Sequence, residues 1–133
     1  MEIKLLSGAL GAEITGIDLK DTSDQNIKEI NNLLLEHKVI FFRDQKINAE
    51  QHIALAEKFG PLETHAYVKG LNDHPEIVRI IKAEDEKNQW GENWHSDVSY
   101  NEKPTKAVIL KSIKIPQLVV IHVLQTWSLH GKH

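Results

Sequence analysis

Short runs of β-forming residues recur along the chain, separated by polar stretches and turn residues. Residues 39–42 form a continuous apolar run that is too short for a helix between its charged flanks, which predicts a buried central strand. The other predicted strands cover residues 13–17, 76–81 and 106–113.

The stretch between the first two predicted strands has the apolar period of an amphipathic helix. Its apolar residues recur every three or four positions, at Ile27, Ile30 and Leu34. Thr22 and Gln25 have the spacing of a capping box, so we expect the helix to begin there and to end near Lys38.

A second helix is predicted to begin at Asn48, where Asn48 and Gln51 again have the spacing of a capping box. The residues predicted to share one face of this helix are His52, Leu55, Ala56 and Phe59. The Gly60-Pro61 pair then ends the helix, since proline commonly follows a glycine that terminates one.

Composition narrows the function classes. The chain has 133 residues, 41% of them hydrophobic, which suffices for one soluble domain or a piece of one. Its net charge of -3 and its scattered Lys and Arg residues offer no basic surface for nucleic acid. There is no cysteine, so any metal site must use nitrogen and oxygen ligands.

The N-terminus lacks the apolar core and small-residue cleavage site of a signal peptide. No apolar run approaches the length needed to span a bilayer. We therefore expect a cytoplasmic protein that does not bind membranes.

The candidate chemistry lies in Trp94-His95-Ser96-Asp97. A polar, turn-rich approach precedes it, and alternating apolar and small residues follow, as in a strand. Side chains two positions apart on an extended segment point to the same face, so His95 and Asp97 are two thirds of a 2-His-1-carboxylate iron site. The alternative is a pair of solvated loop residues.

Four ordered blocks of sequence resemble the taurine dioxygenase and dichlorophenoxyacetate dioxygenase (TauD/TfdA) family of Fe(II)- and 2-oxoglutarate-dependent oxygenases. The blocks are residues 11–19, 37–45, 59–62 and 94–97, within a resemblance that runs from about residue 5 to about residue 117. It implies an α+β fold, namely the N-terminal portion of a double-stranded β-helix, or jelly roll, with flanking helices, incomplete in this chain.

The resemblance also implies an oxidoreductase. Such an enzyme uses Fe(II), takes 2-oxoglutarate as cosubstrate and hydroxylates a small organic acid of the taurine or sulfonate class with dioxygen. By resemblance, His95 and Asp97 are metal ligands, while Trp94 and Asn93 orient this segment or, for Asn93, contact the substrate. Trp94 is alternatively a core aromatic residue.

His65 follows the Phe59-Gly60-Pro61-Leu62 block at a position where the family has a substrate-contacting His. The alternative is a loop His that makes local hydrogen bonds. Gly91 stands where taurine-binding members carry an Asn, and Tyr67 is displaced by one position from the family's aromatic residue, so a substrate other than taurine is expected. A metal hydrolase built on His95, Asp97 and His65 is a further reading, without a matching nucleophile.

The last residues depart from the family. Residues 1–117 are expected to be the N-terminal part of a dioxygenase domain, and residues 118–133 a frameshifted, non-native tail. Permitted codons, read one base earlier after Gln117, give the family's Gly-Gly-Asp-Thr continuation. No later residue matches the family's second His ligand or its 2-oxoglutarate-binding Arg. The alternative function is therefore a catalytically inactive fragment prone to self-association.

Overall fold

The computed structural model describes residues 1–20, 22–65, 67–81, 93–96, 102–114 and 123–124. Its elements, in chain order, are β1 (Glu2–Leu5), β2 (Ala12–Thr15), α1 (Asp24–His37), β3 (Ile40–Phe42) and α2 (Ala49–Glu57). The chain divides into two compact units, one formed by Met1–Ile47 with Leu110–His133 and the other by Asn48–Ile109.

The sheet of the first unit has three strands in the order β1-β2-β3. β1 runs antiparallel to β2, with Ile3 opposite Ile14, and β3 runs parallel to β2, with Ile40 opposite Ala12. A parallel connection needs a crossover, and α1 supplies it between β2 and β3. The predicted helix between two strands is therefore the crossover helix.

The core of this unit lies between the sheet and α1. Ala12 and Ile14 of β2 are almost completely buried and pack with Leu33 of α1. Partly buried residues complete the cluster, namely Met1, Ile17, Ile40 and Phe42. Burial of one large aliphatic side chain stabilises a fold by roughly 2 kcal/mol, so Ile14 and Leu33 each contribute on that order to the packing of the sheet against α1.

The helix α1 confirms the predicted amphipathic pattern and corrects its details. Its N-cap is Ser23, whose hydroxyl oxygen accepts a hydrogen bond from the Asn26 backbone at 3.2 Å, so the predicted cap at Thr22 is wrong. Thr22 is instead buried. Leu33 lies on the buried face and Leu34 only at its margin.

The end of α1 falls where the sequence predicts it. Lys38 adopts a positive φ of 66°, and its N–H donates to the Leu34 carbonyl, which closes the last turn.

The helix α2 confirms the predicted capping box. The Asn48 side chain accepts a hydrogen bond from the Gln51 backbone at 2.8 Å, and the Gln51 side chain accepts one from the Asn48 backbone at 2.9 Å. Leu55 is buried, and the imidazole of His52 lies 3.2 Å from the Ile109 carbonyl. Neither helix in the described part of the chain has the length and apolarity to cross a bilayer.

Two strand predictions hold with altered positions. The strand predicted for residues 13–17 is β2, which begins one residue earlier and is the central strand. The strand predicted for residues 39–42 is β3, but it forms one edge of the described sheet, and Phe41 is 38% exposed. β1 was not expected, because its alternating charged and apolar residues are few and its whole length is exposed.

Two other strand predictions are wrong for the described residues. Neither residues 76–81 nor residues 106–113 form a strand, although both segments are rich in β-branched residues. Their apolar side chains are largely exposed, as at Ile81 and Leu110. A β-forming sequence becomes a strand only beside a partner with which it can share hydrogen bonds and bury a face, and propensity does not supply that partner.

The side chain of Gln45 joins the ends of β2 and β3. Its amide nitrogen donates to the carbonyls of Ile17, at 3.2 Å, and Arg43, at 2.9 Å. Its amide oxygen accepts from the Leu19 N–H at 2.9 Å. One half-buried amide thus satisfies three backbone groups in the two segments that leave the sheet, which fixes their separation.

Replacement of Gln45 by alanine is expected to destabilise the fold by about 2 kcal/mol, because it removes three hydrogen bonds and leaves their backbone partners to water or to nothing. Gln45→Glu keeps the acceptor for the Leu19 N–H but turns a carboxylate oxygen towards two carbonyl oxygens. At neutral pH this variant should therefore lose at least as much stability as Gln45→Ala. Urea denaturation measures the free energy of unfolding of both Gln45 variants, and Gln25→Ala, at an exposed position, is the control. Equal stability of all three variants would contradict this role.

Candidate functional site

The segment that carries the predicted metal ligands is described at residues 93–96, and Asp97 lies outside the described residues. The segment is exposed and is not a strand at these positions. His95 is held by its own chain: its Nδ1 lies 2.7 Å from the Asn93 carbonyl oxygen. The orienting contact of Asn93 therefore comes from its backbone.

This contact determines which imidazole nitrogen can bind a metal. A carbonyl oxygen only accepts hydrogen bonds, so Nδ1 of His95 must carry the proton that it donates to Asn93. In the neutral ring the lone pair then lies on Nε2. Metal-bound histidines commonly have this arrangement, with one nitrogen on the metal and the other donating to a carbonyl or carboxylate.

His65 has the opposite arrangement. Its Nδ1 accepts hydrogen bonds from the backbone N–H groups of Tyr67, at 3.1 Å, and Val68, at 3.2 Å. Nδ1 must therefore be the unprotonated nitrogen, and the proton lies on Nε2. The Tyr67 ring packs edge-on against the imidazole, with the ring centroids 6.3 Å apart. His65 thus makes the local hydrogen bonds that one reading of the sequence expected, while its Nε2–H remains a donor.

The loop that carries His65 is tied to a distant part of the same unit. The Thr105 hydroxyl donates to Glu63 at 2.7 Å, and the Lys106 ammonium donates to the Phe59 carbonyl at 3.4 Å. These contacts fix the backbone on the N-terminal side of His65. The turn that follows α2 also uses Gly60 at a φ of +152°, which favours glycine.

Trp94 is 71% exposed, so its reading as a core aromatic residue is wrong. His74 has a side chain only 24% exposed and lies 3.5 Å from a carboxylate oxygen of Glu50. His52 is half-buried and contacts a backbone carbonyl.

The described residues do not assemble a complete metal site. Among them, no three His, Asp or Glu side chains come close enough together to hold an ion. His65 and His95 belong to the same compact unit.

The first unit contains an open cleft of about 420 Å³ beside Gln45, with charged residues of both signs along its lining. Its charged lining residues are Asp18, Lys20, Arg43, Asp44 and Lys46. None of the predicted site residues contributes to it.

Comparison with known proteins identifies a matching family and several similar proteins. The sequence model of a family described as "Taurine catabolism dioxygenase TauD, TfdA family" matches residues 2–118. The alkylsulfatase of Acinetobacter baylyi is 32% identical over 119 residues, which cover 88% of this chain and 37% of that protein. The alpha-ketoglutarate-dependent sulfate ester dioxygenase of Pseudomonas putida is 30% identical over 87% of this chain and 38% of its own length.

A solved structure has a similar fold over part of this chain. The crystal structure of a taurine dioxygenase from Burkholderia xenovorans matches with a TM-score of 0.53 and 33% sequence identity, over 61% of this chain and 31% of that one. The present chain thus spans less than two fifths of the length of each of these relatives. The expected partial jelly roll agrees with this neighbour at the level of fold family.

The two histidines should be distinguishable by their tautomers. Long-range ¹H–¹⁵N correlation spectra at mildly basic pH are expected to show His95 protonated at Nδ1 and His65 at Nε2, because their backbone partners have opposite polarity. Assignment uses His95→Gln and His65→Gln variants, each of which removes one set of signals. The same tautomer at both positions would contradict the described hydrogen bonds.

Proposed function

This chain belongs to the taurine catabolism dioxygenase TauD, TfdA family, and from this premise we propose that it contributes the iron-binding segment of an Fe(II)- and 2-oxoglutarate-dependent dioxygenase. The proposed reaction is hydroxylation of a small organic acid, with 2-oxoglutarate and dioxygen as cosubstrates. The single observation that carries the proposal is the hydrogen bond from Nδ1 of His95 to the Asn93 carbonyl.

That hydrogen bond supports His95 as a metal ligand for two reasons. It places the lone pair of the neutral imidazole on Nε2, and it limits rotation of the ring, so that less entropy is lost when a metal binds. Asp97 is the proposed second ligand by family resemblance. An imidazole and a carboxylate are the donor types that suit ferrous iron, and the carboxylate would offset one of its two positive charges.

When bound, Fe(II) would supply dioxygen activation coupled to the oxidation of 2-oxoglutarate. The protein residues would hold and orient the reactants. His95 would present Nε2, and Asp97, by family resemblance, would supply a carboxylate. A site with few protein ligands leaves coordination positions for the cosubstrate and for oxygen.

His65 is the proposed substrate-binding residue. An anionic oxygen of a sulfonate, a sulfate ester or a carboxylate needs a hydrogen-bond donor, and the tautomer of His65 provides one at Nε2. Two backbone N–H groups hold the ring, so the donor has a fixed direction. Relatives named for alkyl sulfates and sulfate esters support a sulfur oxyanion as the recognised group.

Gly91, where taurine-binding members carry an Asn, favours a substrate other than taurine. We propose that Asn93 and Trp94 border the same site, Asn93 as the residue that orients His95 and Trp94 as an exposed aromatic surface beside it. An aromatic surface next to an anion-binding group suits an acid with an apolar body.

A second candidate is that the chain as written is a catalytically inactive fragment that self-associates. The family match extends over residues 2–118, so residues 119–133 lie outside it, as a frameshifted tail would. Several large apolar side chains before this point are exposed, including Leu110 at 75% and Ile113 at 81%. Exposed apolar residues of this kind favour association.

Anaerobic titration of the full chain with Fe(II) and then 2-oxoglutarate tests the first candidate. We expect weak Fe(II) binding and, on addition of 2-oxoglutarate, the weak visible charge-transfer band of a chelate. The band should be lost in His95→Ala and in Asp97→Ala, since each removes a proposed ligand. His74→Ala is the matched control and should retain the band, because His74 pairs with Glu50 instead.

A folded sample that binds Fe(II) without developing the band would support the second candidate. Circular dichroism of each variant establishes that it is folded. A band of equal strength in the parent, His95→Ala and Asp97→Ala would exclude these two residues as ligands and refute the first candidate.

If the site binds small acids through His65, an alkyl sulfate or an alkyl sulfonate should bind at the Nε2–H of this residue. We expect addition of hexyl sulfate to shift the His65 Nε2–H resonance of the parent protein. In His65→Ala, which lacks the donor, the dissociation constant for hexyl sulfate should be about tenfold larger. His65→Gln keeps an amide donor and should fall between the two. Identical affinity in all three proteins would remove His65 from the substrate site.

A further inference from the structure

The outer edge of β1 presents a complete strand edge to solvent. All four residues of Glu2–Leu5 are exposed, and no strand in the described part of the chain pairs with this edge. The edge carries no proline or glycine within the strand. Proteins usually protect such edges, because unpaired N–H and C=O groups in an extended row bind other strands.

The hydrogen bonds to β2 determine which residues of β1 face outwards. The Leu6 N–H donates to the Gly11 carbonyl at 3.0 Å, so the backbone groups of Leu6 point towards β2. In an antiparallel pair this direction alternates from one residue to the next. The N–H and C=O groups of Ile3 and Leu5 therefore point to the open edge, and those of Glu2 and Lys4 point to β2.

The side chains of β1 also alternate. Ile3 and Leu5 lie opposite Ile14 and Ala12, on the face of the sheet that packs against α1, yet they are 48% and 62% exposed. The helix covers β2 but leaves this part of the face open. On the opposite face, β1 carries one acid and one base, Glu2 and Lys4.

We propose that a second copy of this chain pairs with the outer edge of β1, strand to antiparallel strand, about a two-fold axis at Ile3. In this arrangement Ile3 of one copy lies opposite Ile3 of the other and exchanges two backbone hydrogen bonds with it. The two three-stranded sheets then become one continuous six-stranded sheet.

The alternating direction of the backbone N–H and C=O groups along β1 restricts the possible registers of the strand pair. Only outward-pointing residues can form hydrogen-bonded pairs, so Ile3 of one copy must lie opposite Met1, Ile3 or Leu5 of the other. If Ile3 lay opposite Leu5, Lys4 would lie opposite Lys4. If Ile3 lay opposite Met1, Glu2 would lie opposite Glu2. Like charges directly opposite each other destabilise a strand pair.

The remaining register is complementary in charge. With Ile3 opposite Ile3, Glu2 of each copy lies opposite Lys4 of the other, at both ends of the two-fold axis. Lys4 also lies opposite Glu13 within its own chain, so charges alternate in sign across three strands. The same register places Ile3 against Ile3 and Leu5 against Met1 on the apolar face. The sequence of β1 is thus complementary to itself in one register only.

The contact is short, which predicts weak and concentration-dependent pairing. One strand pair buries far less surface than the roughly 1,600 Å² of a standard stable interface. We therefore expect a monomer at micromolar concentration and a growing dimer fraction towards the millimolar range.

Charge exchange tests the register. Glu2→Lys and Lys4→Glu each place like charges opposite at both ends of the axis, and each should weaken dimerisation by about tenfold. The double variant restores opposite charges and should recover the parent's association. Sedimentation equilibrium measures the dissociation constants. Of the two single variants, Glu2→Lys disturbs the pairing of β1 with β2 less, because Glu2 lies opposite the neutral Thr15 whereas Lys4 lies opposite Glu13.

Disulfide trapping tests the position of the axis, since the chain has no cysteine of its own. Ile3→Cys should form a covalent dimer on mild oxidation, because hydrogen-bonded partners have Cα atoms about 5.5 Å apart, within the range for a disulfide. Glu2→Cys and Lys4→Cys are the matched controls and should cross-link much more slowly, because neither residue faces its own copy in this register.

Several results would overturn the proposal. A chain that stays monomeric up to millimolar concentration, single charge variants that dimerise like the parent, or a double variant that fails to recover would each do so. Faster trapping through Lys4→Cys or Glu2→Cys than through Ile3→Cys would also do so. Circular dichroism and urea denaturation of each variant keep loss of pairing distinct from loss of fold.

Discussion

The pairing of β2 on both of its edges is the constraint on which the first unit depends. β2 binds β1 on one side and β3 on the other, while Ala12 and Ile14 lie buried under Leu33 of α1. The parallel pairing with β3 needs a crossover, which fixes the place of α1, and the antiparallel pairing with β1 fixes which backbone groups of β1 remain open. The position of the core, the place of α1 and the open edge of β1 therefore all depend on how β2 is paired.

Backbone polarity plays the corresponding part at the candidate site. His95 meets a carbonyl oxygen and His65 meets two N–H groups, so the same side chain has opposite tautomers at two positions. A lone pair at Nε2 suits a cation, and an N–H at Nε2 suits an anionic oxygen. The proposed division into a metal ligand, His95, and a substrate-binding residue, His65, therefore rests on main-chain geometry as well as on residue type.

Sequence reasoning succeeded where structure is local and failed where it depends on a distant partner. The capping box at Asn48 and the end of α1 at Lys38 need only neighbouring residues, and both were predicted. The strands expected at residues 76–81 and 106–113 needed a pairing partner, and β propensity alone could not provide one. The roles of His95 and His65 as site residues stay predictions from the sequence, and the tautomers of both rings depend on backbone contacts that no motif encodes.

Orientation of a ligand and affinity for a metal have different structural requirements. The contact between His95 and the Asn93 carbonyl spans two residues, so a short segment can preset the imidazole before any long-range packing forms. Affinity needs several donors to converge, and such donors come from segments far apart in sequence. A chain that spans less than two fifths of the length of its relatives can therefore orient the imidazole of His95 by a local contact, whereas tight binding at the proposed iron site would require further donors from other segments.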